Sequence, residues 1–446
     1  MTTYKGLNMR FTTFLKRQFS CLLILLMFTT QLFALTSQQR QQVGKIWSRS
    51  FYQQADTFYD PIIEDYVLRL LNDLSPNAKL FSRDIHVILV DDTNLNAFSV
   101  IGNVIGVNKG LFYDLNHSDQ LYGILAHELA HVGQNHLIRS VEENKNKSTI
   151  MLASILAAIL ISPESSELST ALLVTSQGLL QSQALAFSRE MEVEADRVGI
   201  DMLKHSNVNP TGMYDVFLKL QAGSLGYNMP GEYLMTHPLT INRLSDMRPR
   251  TINQNEIQTP IGKNLEFQWI KARLGQPTSI KQLDDCLKEN QNAPSKCWQQ
   301  QYKIHSNNIL LSTIYAESLI AQKDQSGIEL LKLQLKINPN NLMIMSQLML
   351  GYIEFEQYSL AVKLLQQLPD HRNPQFHQIA ISVAIQANNS FLQAKHQFLQ
   401  LWHSGHAQEA MAYVDRIVLL NEFDLATKNR LRAFYQQYVN VQGAAN

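Results

Sequence analysis

The sequence has little charge and no excess of either sign. Charged residues make up 17% of its 446 residues, and 38 Lys and Arg balance 38 Asp and Glu. A protein whose main partner is nucleic acid normally presents a basic face, so this balance argues against that class of partner. Long apolar runs are also missing near the N-terminus, where the run Leu22–Phe28 is shorter than the ~20 residues that span a bilayer.

The N-terminal segment has the order of a secretory signal. Basic residues come first, the apolar run follows, and a small residue, Ala34, ends the segment. This order is typical of signal peptides, so we predict that residues 1–34 direct export; the alternative is an uncleaved anchor. The basic residues are Lys5, Arg10, Lys16 and Arg17.

Cysteine is rare, with three in the whole chain. Removal of the signal peptide would leave two of them, Cys286 and Cys297. An exported protein meets an oxidising compartment, where such a pair can close a disulfide. The short spacing suits a loop that staples two helices, so we predict a disulfide; two free thiols are the alternative.

Hydrophobic residues, in contrast, are plentiful at 45%, and the length allows two or three domains of about 150 residues each. Apolar residues at helical spacing predict a helix over Gln38–Ala78, and an apolar, β-branched run predicts a strand over His86–Val90. Ala97–Val107 is strand-like but interrupted by glycine, and Ser118–Arg139 is the next predicted helix. We therefore expect a small sheet beside a mainly helical domain.

Two later segments need separate interpretation. Ile150–Ile161 is almost wholly apolar but too short to span a membrane, so a buried helix is favoured and contact with a membrane surface is the alternative. Met247–Asn264 is polar and rich in turn residues, and we interpret it as a linker. It divides a first domain, residues 35–265, from a second domain, residues 266–446.

The second domain has the pattern of paired helices. Apolar residues recur around Pro339 with a degenerate period of ~34 residues, which is typical of tetratricopeptide repeats. Such repeats stack into a curved surface that suits protein partners; the alternative is an ordinary helical bundle. The predicted fold class is mainly α with a small β-sheet in the first domain, followed by an all-α domain of tetratricopeptide-like helical repeats.

The chemistry is concentrated in one motif, His127-Glu128-Leu129-Ala130-His131. On a helix, His127 and His131 lie one turn apart on the same face, where both imidazoles can reach one metal ion. Glu128 lies about 100° around the helix, where it can act as general base on a bound water. The neighbouring residues are apolar, which buries the histidines. We therefore predict the zinc site of a metalloprotease, with one Zn²⁺ per chain.

A catalytic zinc needs three protein ligands and an open position for water. The candidates for the third ligand lie in the acidic stretch from Ser188 to Asp196. Glu192 and Asp196 share a helical face, and Asp196 could then accept the free N–H of a ligating histidine. Glu190 and Glu194 are fallback ligands, and spacing alone does not rank these candidates.

The order His127-Glu128-x-x-His131 followed by Glu192-x-x-x-Asp196 resembles the gluzincin peptidases that include HtpX and the CAAX prenyl proteases. The resemblance implies that Glu192 is the third ligand. Most members of those two groups are embedded in the membrane, whereas this chain is more similar to the exported BepA type. That type has a signal peptide, a soluble metalloprotease domain and tetratricopeptide repeats, and the similarity covers nearly the whole chain after the signal peptide.

A second motif, Thr236-His237-Pro238 with Arg243 five residues after the proline, is also similar to the BepA type. The resemblance implies that His237, with Arg243 nearby, is a regulatory fourth ligand that holds the enzyme inactive. Once displaced, it could instead stabilise the oxyanion of the tetrahedral intermediate; a plain helix-capping role is the alternative. The strand Gly102–Val107 is expected to form one wall of the cleft, where an extended substrate adds by main-chain hydrogen bonds; a plain core strand is the alternative.

Together these features predict a periplasmic zinc endopeptidase that degrades misassembled or unfolded proteins and assists quality control of outer-membrane protein assembly. By resemblance, its partners are unfolded or stalled proteins and the outer-membrane β-barrel assembly machinery, with peripheral membrane contact as a further expectation. One alternative is a chaperone or scaffold that acts through its repeats and carries a latent zinc site. Another is a zinc hydrolase of other amides, such as those of cell-wall peptides.

Overall fold

The computed structural model describes residues 36–143, 187–226, 232–252, 257–420 and 423–443. The predicted signal peptide, residues 1–34, and the apolar stretch Ile150–Ile161 lie outside these ranges. Within them, every helix is too short or too polar to cross a membrane. The predicted fold class is confirmed, because the described chain is mainly helical, has one small sheet and continues into many paired helices.

The sheet has three strands in the order β1-β3-β2. β1 (His86–Val90) is parallel to β3 (Val104–Asn108), and β2 (Ala97–Val100) is antiparallel to β3. The predicted strand His86–Val90 is confirmed, and all five of its residues are buried. The strand-like segment Ala97–Val107 forms the two strands β2 and β3. The predicted glycine interruption is confirmed, because the chain reverses at Gly102 and Asn103, whose φ angles of +92° and +57° lie in the left-handed region.

Two predicted helices are each broken into two. The segment 38–78 has a helix on each side of Asp60, whose side chain accepts hydrogen bonds from the backbone N–H of Ile62 and Ile63 and so starts a second helix. The segment 118–139 breaks at Asn135, which has a φ of +55°. The helices of the first half are α1 (Ser37–Gln54), α2 (Pro61–Leu74), α3 (Gly110–Asp114), α4 (Ser118–Gly133), α5 (His136–Glu143), α6 (Arg189–His205), α7 (Thr211–Gly226), α8 (Glu232–Thr236) and α9 (Ile241–Thr251).

Helix α4 lies at the centre of this half, and nearly all of its residues are buried. It contacts α2, α6, α7 and strand β2. Two glycines allow the closest of these approaches. A Cβ on Gly123 would lie 2.6 Å from the backbone of Met213 in α7, and a Cβ on Gly199 of α6 would lie 3.3 Å from the backbone of His127. The acidic helix α6 is thereby held directly against the helix that carries the histidines.

The second half is a succession of short helices, and neighbouring helices in the chain pack in pairs. The predicted linker Met247–Asn264 is wrong at both ends, because α9 continues to Thr251 around a fully buried Met247 and the next helix begins at Ile261. The helices are α10 (Ile261–Arg273), α11 (Lys281–Glu289), α12 (Ser295–Ile304), α13 (Ile309–Ala321), α14 (Ser326–Ile337), α15 (Leu342–Glu354), α16 (Tyr358–Leu365), α17 (Pro374–Gln386), α18 (Ser390–His403), α19 (Ala407–Ile417) and α20 (Leu425–Gly443).

One hydrophobic core runs through both halves of the described chain. Helix α2 contacts α4 in the first half and both α13 and α15 in the second. Ion pairs reinforce the junction: the guanidinium of Arg273 in α10 donates to Asp60 at 2.6 Å and to Glu317 at 2.6 and 2.7 Å. The paired helices are therefore continuous in packing with the part of the molecule that carries the metal motif.

Candidate metal centre

Four buried side chains, three from two helices and one from the residue after a third helix, converge on one point. His127 and His131 extend from one face of α4, Glu192 from the first turn of α6, and His237 lies directly after the short helix α8. One ligand atom of each of the four lies within 4.8 Å of those of the other three. In the described part of the chain, these four residues form a buried group whose side-chain atoms could bind one metal ion together.

The distances within this group suit a tetrahedral ion. His127 Nε2 lies 3.0 Å from His131 Nε2 and 3.2 Å from His237 Nδ1. Glu192 Oε1 lies 3.0 Å from His237 Nδ1 and 3.5 Å from His131 Nε2. Zinc bonds of 2.0–2.1 Å in a tetrahedron hold the ligand atoms about 3.3 Å apart. Three nitrogens and one oxygen at this spacing therefore fit a divalent cation.

The pKa shifts in this group differ between the two histidines of α4 and favour the ionised form of Glu192. Burial alone lowers the pKa of His127, but hydrogen bonds to Asp196 and Glu192 outweigh it and raise that pKa to about 9. Burial, with the neighbouring His127, holds the pKa of His131 well below its usual value. Burial also acts to raise the pKa of Glu192, but His237 and the hydrogen-bonding imidazoles hold it well below the usual range. An ionised carboxylate beside imidazoles is a donor set for a divalent cation.

Asp196 and Arg243 lie behind His127. Asp196 Oδ1 is 3.0 Å from His127 Nδ1, the nitrogen that faces away from the group of four. The guanidinium of Arg243 donates to both oxygens of Asp196, at 2.7 and 2.8 Å, and lies 2.7 Å from Glu192 Oε2. Arg243 also donates to the carbonyl of Pro238 at 2.9 Å. It therefore ties the two carboxylates of α6 to the loop of His237.

Glu128 lies beside the group of four without belonging to it. Its Oε1 is 3.3 Å from His237 Nε2 and accepts a hydrogen bond from the hydroxyl of Tyr233 at 3.4 Å. Tyr233 is fully buried and stacks on His237 with ring centroids 4.7 Å apart. Sequence reasoning missed Tyr233, although its position one helical turn before His237 was a usable signal. The general-base candidate thus contacts both aromatic side chains of this turn.

Sequence reasoning also missed His136. This residue is fully buried, and its Nδ1 lies 2.9 Å from His131 Nδ1. Glu194, one of the fallback ligands, lies on the far side of His136, with Oε2 3.3 Å from His136 Nε2 and 2.7 Å from Arg139 Nη1. Glu190, the other fallback ligand, is exposed. Among the acidic residues of α6, the structure brings Glu192 to the group of four.

A mostly apolar pocket adjoins His131. It is bordered by the end of β2 and the turn after it, by the end of α4 and by Phe187, whose ring stacks on His131 with centroids 4.0 Å apart. Its lining includes Ser99, Val100, Ile101 and Val132. The strand expected to accept substrate, Gly102–Val107, does not have a free edge, because β3 is paired on both sides. A strand-like ligand would instead meet an outer strand such as β2.

The two cysteines are bonded to each other. Cys286 in α11 and Cys297 in α12 form a disulfide with Cα atoms 5.7 Å apart. Cys297 is buried, and Trp298 beside it belongs to the core that runs through both halves. The disulfide therefore joins the first two helices after α10, within the part of the chain that follows the metal centre.

A His-Glu-x-x-His helix with a buried glutamate from a second helix is the arrangement of a metallopeptidase site. Residues 61–251 match the model of Peptidase family M48. The predicted enzyme class, a metallopeptidase, is thereby confirmed. All seven predicted site residues lie inside the matched segment: His127, Glu128, His131, Glu192, Asp196, His237 and Arg243.

The chain is also similar to individual proteins of known name. It is 32% identical to the beta-barrel assembly-enhancing protease of Yersinia pestis over 240 residues, which cover 54% of this chain and 49% of that protein. It is 29% identical to the protein of the same name from Escherichia coli K12 over 236 residues, or 53% and 48% of the two chains. The mitochondrial metalloendopeptidase OMA1 of Arabidopsis thaliana is 28% identical over 155 residues, 34% of this chain and 28% of the relative.

The chain spans about half the length of the beta-barrel assembly-enhancing proteases that it matches. These relatives confirm the resemblance to the BepA type over about half of the chain, rather than over nearly all of the chain that follows the signal peptide. The metal predicted from the motif is supported at the level of a divalent cation, since the matched family is a metallopeptidase family and the four ligand atoms lie at a suitable spacing.

Proposed function

We propose that this protein is a zinc-dependent endopeptidase of the periplasm that degrades misassembled or unfolded proteins and assists outer-membrane protein assembly. One observation carries the proposal: four buried ligand atoms lie within 4.8 Å of one another, with Glu128 beside them. In this proposal His127, His131 and Glu192 hold one Zn²⁺, and Asp196 orients His127. The disulfide Cys286–Cys297 supports export, since disulfides persist in oxidising compartments.

The proposed reaction is attack of water on a peptide carbonyl. A bound zinc ion supplies a Lewis acid that lowers the pKa of water to near neutrality. Glu128 takes the proton of the attacking water and passes it to the leaving amine. The hydroxyl of Tyr233, which donates to Glu128 Oε1, keeps that carboxylate directed toward the centre.

The position of His237 supports a latent resting state. Its Nδ1 lies 3.2 Å from His127 Nε2 and 3.0 Å from Glu192 Oε1, so it completes a set of four ligands. A catalytic zinc needs one of its four positions for water. We therefore infer that His237 must leave before catalysis. The same observation favours the second candidate function, a scaffold that acts through its helical pairs and keeps the zinc site closed.

The proposed substrates are extended, unfolded or stalled protein chains. Strand β2 is an outer strand of the sheet, and its last residue, Val100, borders the pocket beside His131. An extended chain could pair with such a strand through main-chain hydrogen bonds, which gives weak sequence preference. The names of the relatives from Yersinia pestis and Escherichia coli refer to β-barrel assembly. On this basis, the proposed partner of this protein is the outer-membrane β-barrel assembly machinery. The paired helices, as tetratricopeptide-type repeats, would dock it.

The decisive experiment compares His237→Ala with the wild type on an unfolded protein and on purified muropeptides, with zinc supplied to both. We expect His237→Ala to cleave the unfolded protein faster than the wild type and to leave muropeptides intact. The double variant His237→Ala, Glu128→Gln is the matched control, since it keeps the open site but lacks the general base. It should bind zinc and cleave nothing.

Three outcomes would redirect the proposal. Cleavage of muropeptides alone would favour an amidase of the cell wall. Zinc binding without cleavage of any protein by His237→Ala would contradict the peptidase assignment. If Glu128→Gln fully replaces the wild type in cells that assemble outer-membrane proteins, the scaffold function is favoured instead.

A further inference from the structure

His131 has a partner on its far side that differs from the partner of His127. His131 Nε2 faces the other ligands, at 3.0 Å from His127 Nε2, so this nitrogen is the one that would bind the ion. The opposite nitrogen, Nδ1, lies 2.9 Å from the Nδ1 of His136. His136 is fully buried and begins helix α5, directly after the break at Asn135.

The position of the protons follows from the chemistry of imidazole. A histidine that binds a metal through Nε2 is neutral and carries its hydrogen on Nδ1. His131 Nδ1 must therefore donate, and His136 Nδ1 must accept. A neutral His136 that accepts at Nδ1 carries its own hydrogen on Nε2. That nitrogen lies 3.3 Å from Glu194 Oε2, which is an acceptor.

Glu194 is itself held in place. Its Oε2 accepts a hydrogen bond from Arg139 Nη1 at 2.7 Å, and both side chains are partly exposed. The arrangement parallels the one behind His127, where Asp196 is held by Arg243. Each ligating histidine is thus backed by a carboxylate paired with an arginine. The difference is that His136 is inserted between His131 and its carboxylate.

We propose that His136 is a positioning residue that fixes the orientation and the proton of His131 for metal binding, with Glu194 as its anchor. This inference rests on the proposed metal centre and adds to it the residue that aligns its second histidine. Hydrogen-bonded partners behind ligating histidines typically contribute about 10–100-fold to metal affinity. His136 is not among the group of four ligands, since its Nδ1 faces His131 and its Nε2 lies on the side of Glu194.

The test measures metal affinity rather than proteolysis. Metal-free protein is titrated with Zn²⁺ against a competing chelator, and separately with Co²⁺, whose visible absorption reports the geometry of its ligands. His136→Phe fills the same volume without an acceptor, and we expect it to bind Zn²⁺ about 10–100-fold more weakly and to alter the Co²⁺ spectrum. His136→Asn retains an oxygen at the place of Nδ1, so it should restore most of the affinity and the wild-type spectrum.

The control is His205→Phe, because His205 is an exposed histidine at the end of α6, and it should leave both readouts unchanged. Equal Zn²⁺ affinity and equal Co²⁺ spectra for His136→Phe and the wild type would overturn the proposal. If His136→Phe does not fold, Glu194→Ala removes the anchor instead, and unchanged affinity there overturns the proposal equally. A wild-type protein that binds no metal would refute the proposed function itself, which is a different result.

Discussion

Two arginine–aspartate pairs join the same two helices, α6 and α9, in very different surroundings. In one, Arg243 of α9 donates to both oxygens of Asp196 of α6 at 2.7 and 2.8 Å. In the other, Arg197 of α6 donates to both oxygens of Asp246 of α9, each at 2.9 Å. The side chains of the first pair are 1% exposed, whereas those of the second are 49% and 26% exposed.

The comparison shows that geometry alone does not determine what an ion pair does. Two exposed charges are well solvated by water even when they are apart, so forming the ion pair adds little to the free energy of unfolding. A buried pair has lost its water, so the removal of one partner leaves the other as an uncompensated charge. The buried pair also contacts two members of the metal-ligand group, since Asp196 lies 3.0 Å from His127 and Arg243 lies 2.7 Å from Glu192.

The largest expected effect is on stability and follows from Arg243→Met. This change leaves Asp196 and Glu192 buried without their counter-charge, so we expect the free energy of unfolding to fall by about 3–5 kcal/mol. Denaturant unfolding of the metal-free protein measures it. A loss below about 1 kcal/mol, the range of an exposed pair, would mean that burial does not separate the two pairs.

The next effect concerns metal affinity. Asp196→Asn keeps the shape of the side chain behind His127 but removes the negative charge, and we expect Zn²⁺ to bind about 10–100-fold more weakly. Asp246→Asn is the matched control on the other pair and should leave the affinity unchanged. Competition with a chelator of known affinity measures both variants. Equal losses in the two variants would show that the effect is a general consequence of changed charge on these helices.

A smaller effect is expected from Arg197→Met. Because this pair is exposed, its removal should lower the free energy of unfolding by no more than about 1 kcal/mol. Salt at about 1 M screens charges beyond roughly 3 Å, so the difference between variant and wild type should shrink further there. Unfolding curves at low and high salt provide the measurement, and a difference that is large and independent of salt would contradict the comparison.

The smallest effect is a dependence on pH. The hydrogen bond from Arg197, with that from Arg250, holds the pKa of Asp246 below its usual value. A lowered pKa in the folded state adds stability above the unfolded pKa of about 3.9, and this contribution disappears as the pH falls through the folded value. The stability difference between wild type and Asp246→Asn should therefore be constant from pH 7 to 5, shrink as the pH falls below about 3.9, and vanish below the lowered folded pKa. A difference that grows in acid would reverse this sign.

Local patterns predicted the parts of the centre that lie on one helix. The motif His127-Glu128-x-x-His131 places both histidines one helical turn apart on one face, and the structure places all three residues on the buried helix α4. The sequence did not predict which carboxylate of α6 faces the histidines. The candidates Glu190, Glu192 and Glu194 lie on different faces of this helix, so the rotation of the helix about its axis decides. That rotation is set by packing, in which the backbone of α4 lies 3.3 Å from a Cβ position on Gly199. Family resemblance, rather than spacing, selected Glu192.

The missed residues depend on backbone geometry that the patterns did not contain. His136 reaches His131 because the chain turns at Asn135 in a left-handed conformation, whereas the sequence predicted one uninterrupted helix there. Tyr233 reaches Glu128 across 105 positions of sequence. The sequence indicated a glycine interruption within Ala97–Val107, but it did not predict the chain reversal there that makes β2 and β3 antiparallel. Long-range contacts and single residues with positive φ angles thus account for most of the differences between the predicted and the observed structure.

Helix α2 has a consequence for how the protein can be divided. One side of it supports the metal-bearing helix α4, and the other supports α13 and α15 from the second half. A severed metallopeptidase half would keep α2 but expose the apolar side that normally meets the helical pairs, and it would aggregate through that side. We therefore expect the two halves to depend on each other for folding. A chimera that exchanges one half should need an α2 whose apolar surface fits the helices of the other half.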